Sequence, residues 1–529
     1  MISFQHASQS RAGRLAVLAT AGILLAVAGC GGSDESDRSL DARGASGQGT
    51  LSGQTAVSNL VMIAVDTVRW DTWWIPERTG SYDRFSEWAQ SSQVLSRSVS
   101  AAPWTVPSVA TVLTGLYPSQ HGAGLFDSAV ANLDKEIPSA LNAGVPTLAE
   151  ILGSVGLRTT AVSAHPWFDA NYGLERGFET LRLKSGAAAV THQGLEWLDE
   201  HLAADAGPYF LYLHYMDVHD PHLNLTEARE HVANMSAQQR ALLEATAPAS
   251  ACRNPDGTMC VRYLRYALAT LFMRESIAHL LNELRARGVL DDSLVVLYSD
   301  HGEEFHDHYE IGESRAVDPR GFYGFGHGNS LYQEQLHVPL MIWHPMLEGL
   351  DMPKPVSLVD IVPSVLDWMG ISPPEQVDYP GESFAGLVEK VRPVAFSWSD
   401  DSRRFPGSSD RRLFASGIAY GPEQMALIAE GFKLIWHEAD NVREFYNLSE
   451  DPLEKEQLPG AAVAVADELD AELGDYFDWF SSQDYLPPSL SDEVVERLKG
   501  VGYLQGVESS EAEQPGKIEE SDEDEGNEL

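Results

Sequence analysis

Cysteine is almost missing from this chain: three residues in 529. Two of them, Cys252 and Cys260, flank RNPDGTM, and no further Cys or His lies nearby at ligand spacing. That leaves a thiolate metal centre poorly supported and makes a local disulfide across a Pro-Asp-Gly turn the simpler reading in an exported protein. Basic residues are also scarce, with 36 Lys and Arg against 78 Asp and Glu, a formal net charge of −42. Such a balance argues against nucleic-acid binding and against docking on anionic lipid. Long apolar runs are lacking as well. The longest, Leu15 to Gly29, is short for a membrane span, and no internal repeat of a solenoid kind is present.

That run, with Arg11 and Arg14 before it, reads as a signal segment over 1–29. Its end, Val27-Ala28-Gly29-Cys30, resembles a bacterial lipobox, which implies cleavage before Cys30 and lipidation of that residue. Gly31 after it favours the outer over the inner membrane, so the expectation is an exported protein anchored by lipid alone. Residues 30–58 hold almost no large apolar side chain and read as a flexible tether. The stretch 507–529 is acidic and expected to be solvated.

Between these ends, 43% hydrophobic residues and twelve Trp support a substantial core. Strands are predicted at Leu60–Val65, Thr159–Ser163, Phe210–Tyr215, Leu294–Tyr298 and Leu340–Trp343. Helical patterns fall between them, at Thr147–Val155, Gln193–Ala203, Tyr263–Arg287 and Val359–Met369. This alternation predicts an α/β fold with a largely parallel sheet covered on both faces. After Pro373 shorter strands follow, at Pro393–Trp398, Gln424–Ala429, Phe432–Trp436 and Arg443–Tyr446, with Glu430-Gly431 as a hairpin turn. The division expected is a large α/β domain over 59–385, an antiparallel subdomain over 386–485 and a closing helix within 486–506.

Two apolar runs stop at an acid: VMIAVDTVRWD at Asp66 and LVVLYSDHGEE at Asp300-His301. Open α/β sheets build their sites at such strand ends. Asp66, Asp300 and His301 are therefore candidate ligands of one divalent cation. Thr105, in APWTVPSVATVLTGLYPSQHG, precedes a Pro-containing first helical turn, where helix N–H groups favour an anion. A Thr in that place is more often a cap; two acidic strand ends make it a candidate nucleophile and metal neighbour instead. His219, with Asp217, follows the strand in FLYLHYMDVHDPH and suits proton donation to a leaving oxygen. His214 alternates with buried positions and is expected to be a satisfied core residue, while His222 fits either class. His327, in GFYGFGHGNSLY, suits an anionic oxygen, a proton transfer or a second metal; Asn329 and Glu334 beside it are expected to be structural. Glu303, Glu304, His306 and His308 have the composition of a metal cluster, but a consecutive polar run is as often solvated surface.

The ordered set NLVMIAVDTVR, WTVPSVATVLTGLYPSQHG, FLYLHYMDVHDPH, LVVLYSDHGEE, GHGNSLYQEQLHVPLMIWHP and EFYNLSEDPLEKEQL resembles the sulfatase branch of the alkaline phosphatase superfamily. The likeness spans about residues 58 to 460. It implies a large α/β sandwich around a mixed, mainly parallel central sheet flanked by helices, with a small antiparallel C-terminal α+β subdomain. It also implies Asp66, Asp300 and His301 as ligands, Thr105 at the nucleophile position, and His219 and His327 at the transferred group or leaving oxygen. The departures carry as much. Sulfatases resemble C-x-P-S-R here, with the Cys converted to formylglycine; this chain has Thr105 and, in place of the Arg, Val109. Thr67 stands where many have a second Asp, and His327 where many have a Lys. With no formylglycine, a sulfated Thr has no hemiacetal to collapse, so phosphoester chemistry is favoured on mechanism, whether hydrolysis or transfer. The cofactor expected is one divalent ion, Ca, Mg or Mn on an oxygen set with one His, with Zn also compatible. Partners reduce to a small-molecule, glycan or lipid ester; oligomeric state has no signature. Two other readings remain: a non-catalytic binding protein on the same core, and a two-zinc phosphodiesterase. The latter would recruit Asp217, His219 or His222, and His327, although Pro221 breaks its usual Asp-x-x-x-His spacing.

Overall fold

The computed structural model describes residues 57–125, 138–169, 171–220, 241, 252–253, 257–308, 324–344, 354–385, 411–419, 423–460, 465–480, 496 and 498. The expected signal segment, the tether from Cys30 to residue 56, His222, the strand at Pro393–Trp398 and the acidic tail lie outside these residues, as does nearly all of the closing helix.

The central sheet has seven strands, in the order Gln93–Val94, Leu340–Trp343, Ser293–Ser299, Asn59–Val65, Tyr209–Tyr215, Arg158–Ser163 and Thr180–Leu183. Asn59–Val65 pairs in parallel with Ser293–Ser299 on one side and Tyr209–Tyr215 on the other. Leu340–Trp343 runs antiparallel to both its neighbours, which makes the sheet mixed and mainly parallel. Both faces are buried, so its central strands are apolar throughout instead of alternating. Leu60, Met62, Leu294, Val296, Phe210 and Tyr212 pack on one side against the helices Thr105–Thr114, Leu148–Ser154 and Ile361–Met369. Val61, Ile63, Leu211 and Leu213 face Ala187–Ala203 and Val261–Ala286 on the other. Each fully buried side chain of this size contributes about 1.5–3 kcal/mol.

The C-terminal part is a four-stranded antiparallel sheet of Arg412–Ala415, Gln424–Ala429, Phe432–His437 and Val442–Asn447. Glu430 and Gly431, with φ of 52° and 79°, form its hairpin turn, the left-handed pair that matches strand twist. A helix absent from the sequence reading, Ala466–Phe480, seats Leu469, Leu473 and Tyr476 on Met425, Leu427 and Leu434. A disulfide joins Cys252 to Cys260. Among the described residues, no helix is long and apolar enough to cross a membrane.

Candidate active site

The parallel register carries Asp66 and Asp300 past the same end of adjacent strands, since Val65 pairs with Ser299. Residues 60, 62, 64 and 294, 296, 298 share one face, and Asp66 and Asp300 continue their parity toward the side where the helix Thr105–Thr114 lies. Asp66, Thr105, Asp300 and His301 are all fully buried. Asp300 Oδ1 accepts the amides of Thr67 at 3.2 Å and His301 at 2.9 Å. Thr67 has φ of +61°, an uncommon conformation for a β-branched residue. Its hydroxyl donates to the Asp66 carbonyl at 2.8 Å, so the side chain at the second-Asp position is turned onto backbone.

Thr105 is the first residue of its helix, and Trp104, not Thr105, stands at the cap. The Thr105 hydroxyl lies 3.3 Å from His301 Nε2. Val109, one turn on, is fully buried in the apolar core. His301 Nε2 also stands 3.3 Å from Asp66 Oδ1 and 3.5 Å from Asp300 Oδ2, while its Nδ1 is held by the Gly302 carbonyl at 2.9 Å.

His214 departs from the sequence reading. It is buried, as expected, yet its Nε2 makes no hydrogen bond and faces Asp66 Oδ2 at 3.8 Å. Asp66, His214 and Asp300 offer three ligand atoms within 4.8 Å of one another. Both Asp66 oxygens and Asp300 Oδ2 are likewise buried without a well-formed hydrogen bond. Buried polar atoms are costly to leave so, and this set fits a divalent cation. The electrostatics agree. Burial opposes ionisation of Asp66, but the close approach of His301 Nε2 at 3.3 Å and the charges of His219, His165 and His301 hold it well below the usual carboxylate range. Burial and then the Asp66 charge push Asp300 up to about 7. Burial opposes charge on His301, yet Asp300 and Asp66 raise the ring to about 9. Two buried carboxylates thus draw a proton onto His301; a dication meets the same need.

A family model described as Sulfatase matches residues 58–371, more than half of the chain. The chain belongs to the sulfatase family. It is 29% identical over 213 residues to arylsulfatase K of Danio rerio, covering 40% of this chain and 35% of that one. To the low-salt glycan biosynthesis sulfotransferase Agl7 of Haloferax volcanii it is 24% identical over 324 residues, 60% and 63% of the two chains. To the ulvan-active sulfatase of Formosa agariphila it is 28% identical over 235 residues, 42% and 40%. These matches span less than two thirds of the relatives' own lengths. Among solved structures, a 2-O GAG sulfatase superposes with a TM-score of 0.56 at 14% identity, covering 83% of this chain and 96% of that one. The phosphonate monoester hydrolase of Agrobacterium radiobacter gives 0.52 at 16% identity, with 80% and 95% covered. Both share the fold.

In this sulfatase-family chain the outer side of the centre is made of histidines. The ring of His327 stands 4.4 Å from that of His301 and 5.0 Å from that of His219. His327 Nδ1 is held by Glu303 Oε2 at 2.7 Å, and His219 Nδ1 by the Asp220 carbonyl at 2.7 Å. In His219, His301 and His327 alike, an oxygen on Nδ1 selects the tautomer and directs the Nε2 edge away from it. Burial, against the pull of Glu303, lowers His327 to about 4.

His165 escaped the sequence reading altogether. It follows the strand Arg158–Ser163, accepts the Trp167 amide on Nδ1 at 3.3 Å and places Nε2 3.4 Å from Asp66 Oδ2. No acidic neighbour in AVSAHPW marked it; only the sheet order, which sets its strand beside Tyr209–Tyr215, brings it in. Asp217 stands apart from the carboxylate pair: its Oδ1 accepts the Ala187 amide at 2.9 Å, at the start of the helix Ala187–Ala203. The run after His301 is not solvated surface. Glu303, Glu304 and His308 are buried, and only His306 is exposed. His308 pairs with Glu334 at 2.7 Å, and Asn329 Oδ1 accepts from Gln335 at 2.6 Å.

Proposed function

We propose that this protein hydrolyses or transfers phosphate or sulfate esters, with phosphoesters favoured, using Thr105 as the nucleophile beside a divalent cation. The observation that carries the reading is the direction of the Thr105 hydroxyl. It does not cap its helix but faces His301 Nε2 at 3.3 Å, next to two buried carboxylates.

A divalent cation held by Asp66, Asp300 and His301 or His214 would lower the cost of ionising the Thr105 hydroxyl and offset charge on the transferred group. The start of the helix Thr105–Thr114 adds backbone N–H groups suited to the same anion. Thr105 Oγ, its proton lost to solvent, attacks phosphorus, and the bond to the leaving oxygen breaks as the new P–O bond forms. His219 or His327, whose Nδ1 proton is held by an oxygen, takes up a proton from solvent on Nε2 and passes it to that leaving oxygen. Water, or an acceptor alcohol in a transferase, then attacks phosphorus; the Thr105–P bond breaks and Thr105 regains a proton. Both displacements occur at phosphorus, so neither needs the aldehyde collapse open to a formylglycine. A sulfated Thr105 would need a second attack at sulfur, which is why phosphoesters are favoured. The ulvan-active and glycan-biosynthesis relatives support a glycan ester as substrate. An exported location with a lipid anchor at Cys30 belongs to the same proposal and lies outside the described residues.

The test is Thr105→Ala against paired aryl phosphate monoester, phosphate diester and sulfate monoester, with metal content measured on each sample. The expected result is a loss of at least about 10³-fold in kcat at unchanged metal content. Undiminished turnover in T105A would end the nucleophile reading.

A further inference from the structure

A short segment of the C-terminal subdomain touches both halves of the centre. Gly417 accepts the Trp104 indole N–H on its carbonyl at 2.8 Å. It has φ of +88°, and a β-carbon there would meet the Pro107 ring at 3.7 Å. Gly417 thus bonds the residue before Thr105 and lies near Pro107, two residues after it. Ser416 donates its amide to the Ala101 carbonyl at 3.0 Å. On the other half, the Ala419 amide donates to the Gly328 carbonyl at 2.8 Å, and Gln424 Nε2 donates to the Asn329 carbonyl at 3.0 Å. These carbonyls belong to the two residues that follow His327. The segment is itself held by one side chain. Glu423 Oε1 accepts the amides of Gly417 at 2.9 Å and Ile418 at 3.4 Å.

We propose that Glu423 is a positioning residue of this centre: by fixing the Gly417–Ala419 turn it sets Thr105 and His327 at their working separation. The proposal rests on the roles given above to Thr105 and His327. The residues joined are more than 200 positions apart in the chain, and no other described side chain accepts the Gly417 amide. Burial pushes the Glu423 carboxyl up to about 7, against the amides that lower it, so an acceptor oxygen suffices for the brace and a formal charge is not needed. A misplacement of about 1 Å between reacting groups costs on the order of 10²-fold in rate, whereas loss of mere sheet stability leaves the turnover of the folded fraction intact.

The experiment compares Glu423→Ala, Glu423→Gln and a stability control, Leu434→Ala, whose side chain is buried under the same sheet. Kinetics use 4-nitrophenyl phosphate, bis(4-nitrophenyl) phosphate and 4-nitrophenyl sulfate at temperatures well below each Tm. Hydrogen exchange is followed in the peptides covering 101–109 and 325–331. Expected for E423A is a kcat lower by about tenfold or more with KM within about twofold, and faster exchange in both peptides. E423Q restores both readouts, and L434A lowers Tm without either change. An unchanged kcat in E423A, no rescue by Gln, or the same kcat loss in L434A would overturn the brace. Should T105A retain its turnover, the nucleophile reading fails on its own; should none of the three esters react, there is no kcat to compare. The exchange data then decide the brace alone: selective loosening in E423A supports it, and equal exchange in all three variants overturns it.

Discussion

His214 and Asp66 meet because of strand register. His214 pairs with Ala64, two residues before Asp66, and shares the face of Phe210 and Tyr212. The strand-end acids Asp66 and Asp300-His301 were legible in the sequence, since each ends an apolar run. His214 was not, because in a sheet buried on both faces alternation between buried positions carries no information about which face a residue takes. Parity with residues 60–66 would have placed it. Glu303 and His308 misled for a different reason: their partners His327 and Glu334 stand 24 and 26 residues away in sequence, so a locally polar run hid a buried network. With its Nε2 buried and unbonded, His214 is expected to contribute to cation binding. His214→Ala should weaken metal affinity by about 10–100-fold, read by chelator competition with metal stoichiometry on the same samples. Equal affinity in variant and parent would return His214 to the core.

At the scale of elements, the turn leaving the strand Ser293–Ser299 is what aims His301. Gly302 donates its amide to the Gln335 carbonyl at 2.8 Å, and Glu303 donates to the Glu334 carbonyl at 3.0 Å. A β-carbon on Gly302 would meet the Glu334 carbonyl oxygen at 2.0 Å. Backbone cannot swing away as a side chain would, so the whole turn must shift. Arg69, buried between Asp71 and Asp307, donates to the Glu303 carbonyl at 3.1 Å and braces the other side. Gly302→Ala is therefore expected to cost about 2–4 kcal/mol in stability and to lower metal occupancy together with Tm. Denaturant unfolding with and without added metal checks it; a Tm within about 1 °C of the parent would show that the turn tolerates the methyl group. Element positions themselves were read well where apolar runs were long. The five predicted core strands match within one residue at either end. The strand Thr180–Leu183 and the helix Ala466–Phe480 were missed: the first is half-buried at the sheet edge, and the second is acidic, with an apolar face of only a few residues.

For the whole molecule, the join between the central sheet and the C-terminal sheet is a buried polar chain. Lys433 pairs with Glu454 at 2.7 Å, both fully buried. Glu454 accepts the Gln333 amide at 2.7 Å, and its carbonyl lies 3.0 Å from His308 Nε2. His308 Nδ1 closes the chain on Glu334 at 2.7 Å. Breaking one partner of such a buried set costs more than making the pair contributes, so the join should respond to pH. Burial opposes charge on His308, but Glu334 raises it to about 9, against about 6.5 for an unfolded His. A folded pKa above the unfolded one means stability present in full below about pH 6.5 and lost as pH rises through 9. Burial, then the charges of Glu334 and Asp307, raise Glu304 beside it to about 8, and the sign is the same: the folded state holds the proton that the unfolded chain releases first. Thermal unfolding midpoints are therefore expected to fall between pH 6.5 and 9, with His308 accounting for no more than about 3 kcal/mol. His308→Gln keeps a donor at that place without a titrating ring, so its midpoint should start lower at pH 6.5 and decline less steeply. Parallel pH slopes in parent and variant would mean that His308 does not carry its proton in the fold, and that the two sheets are joined by packing and by the Lys433–Glu454 pair.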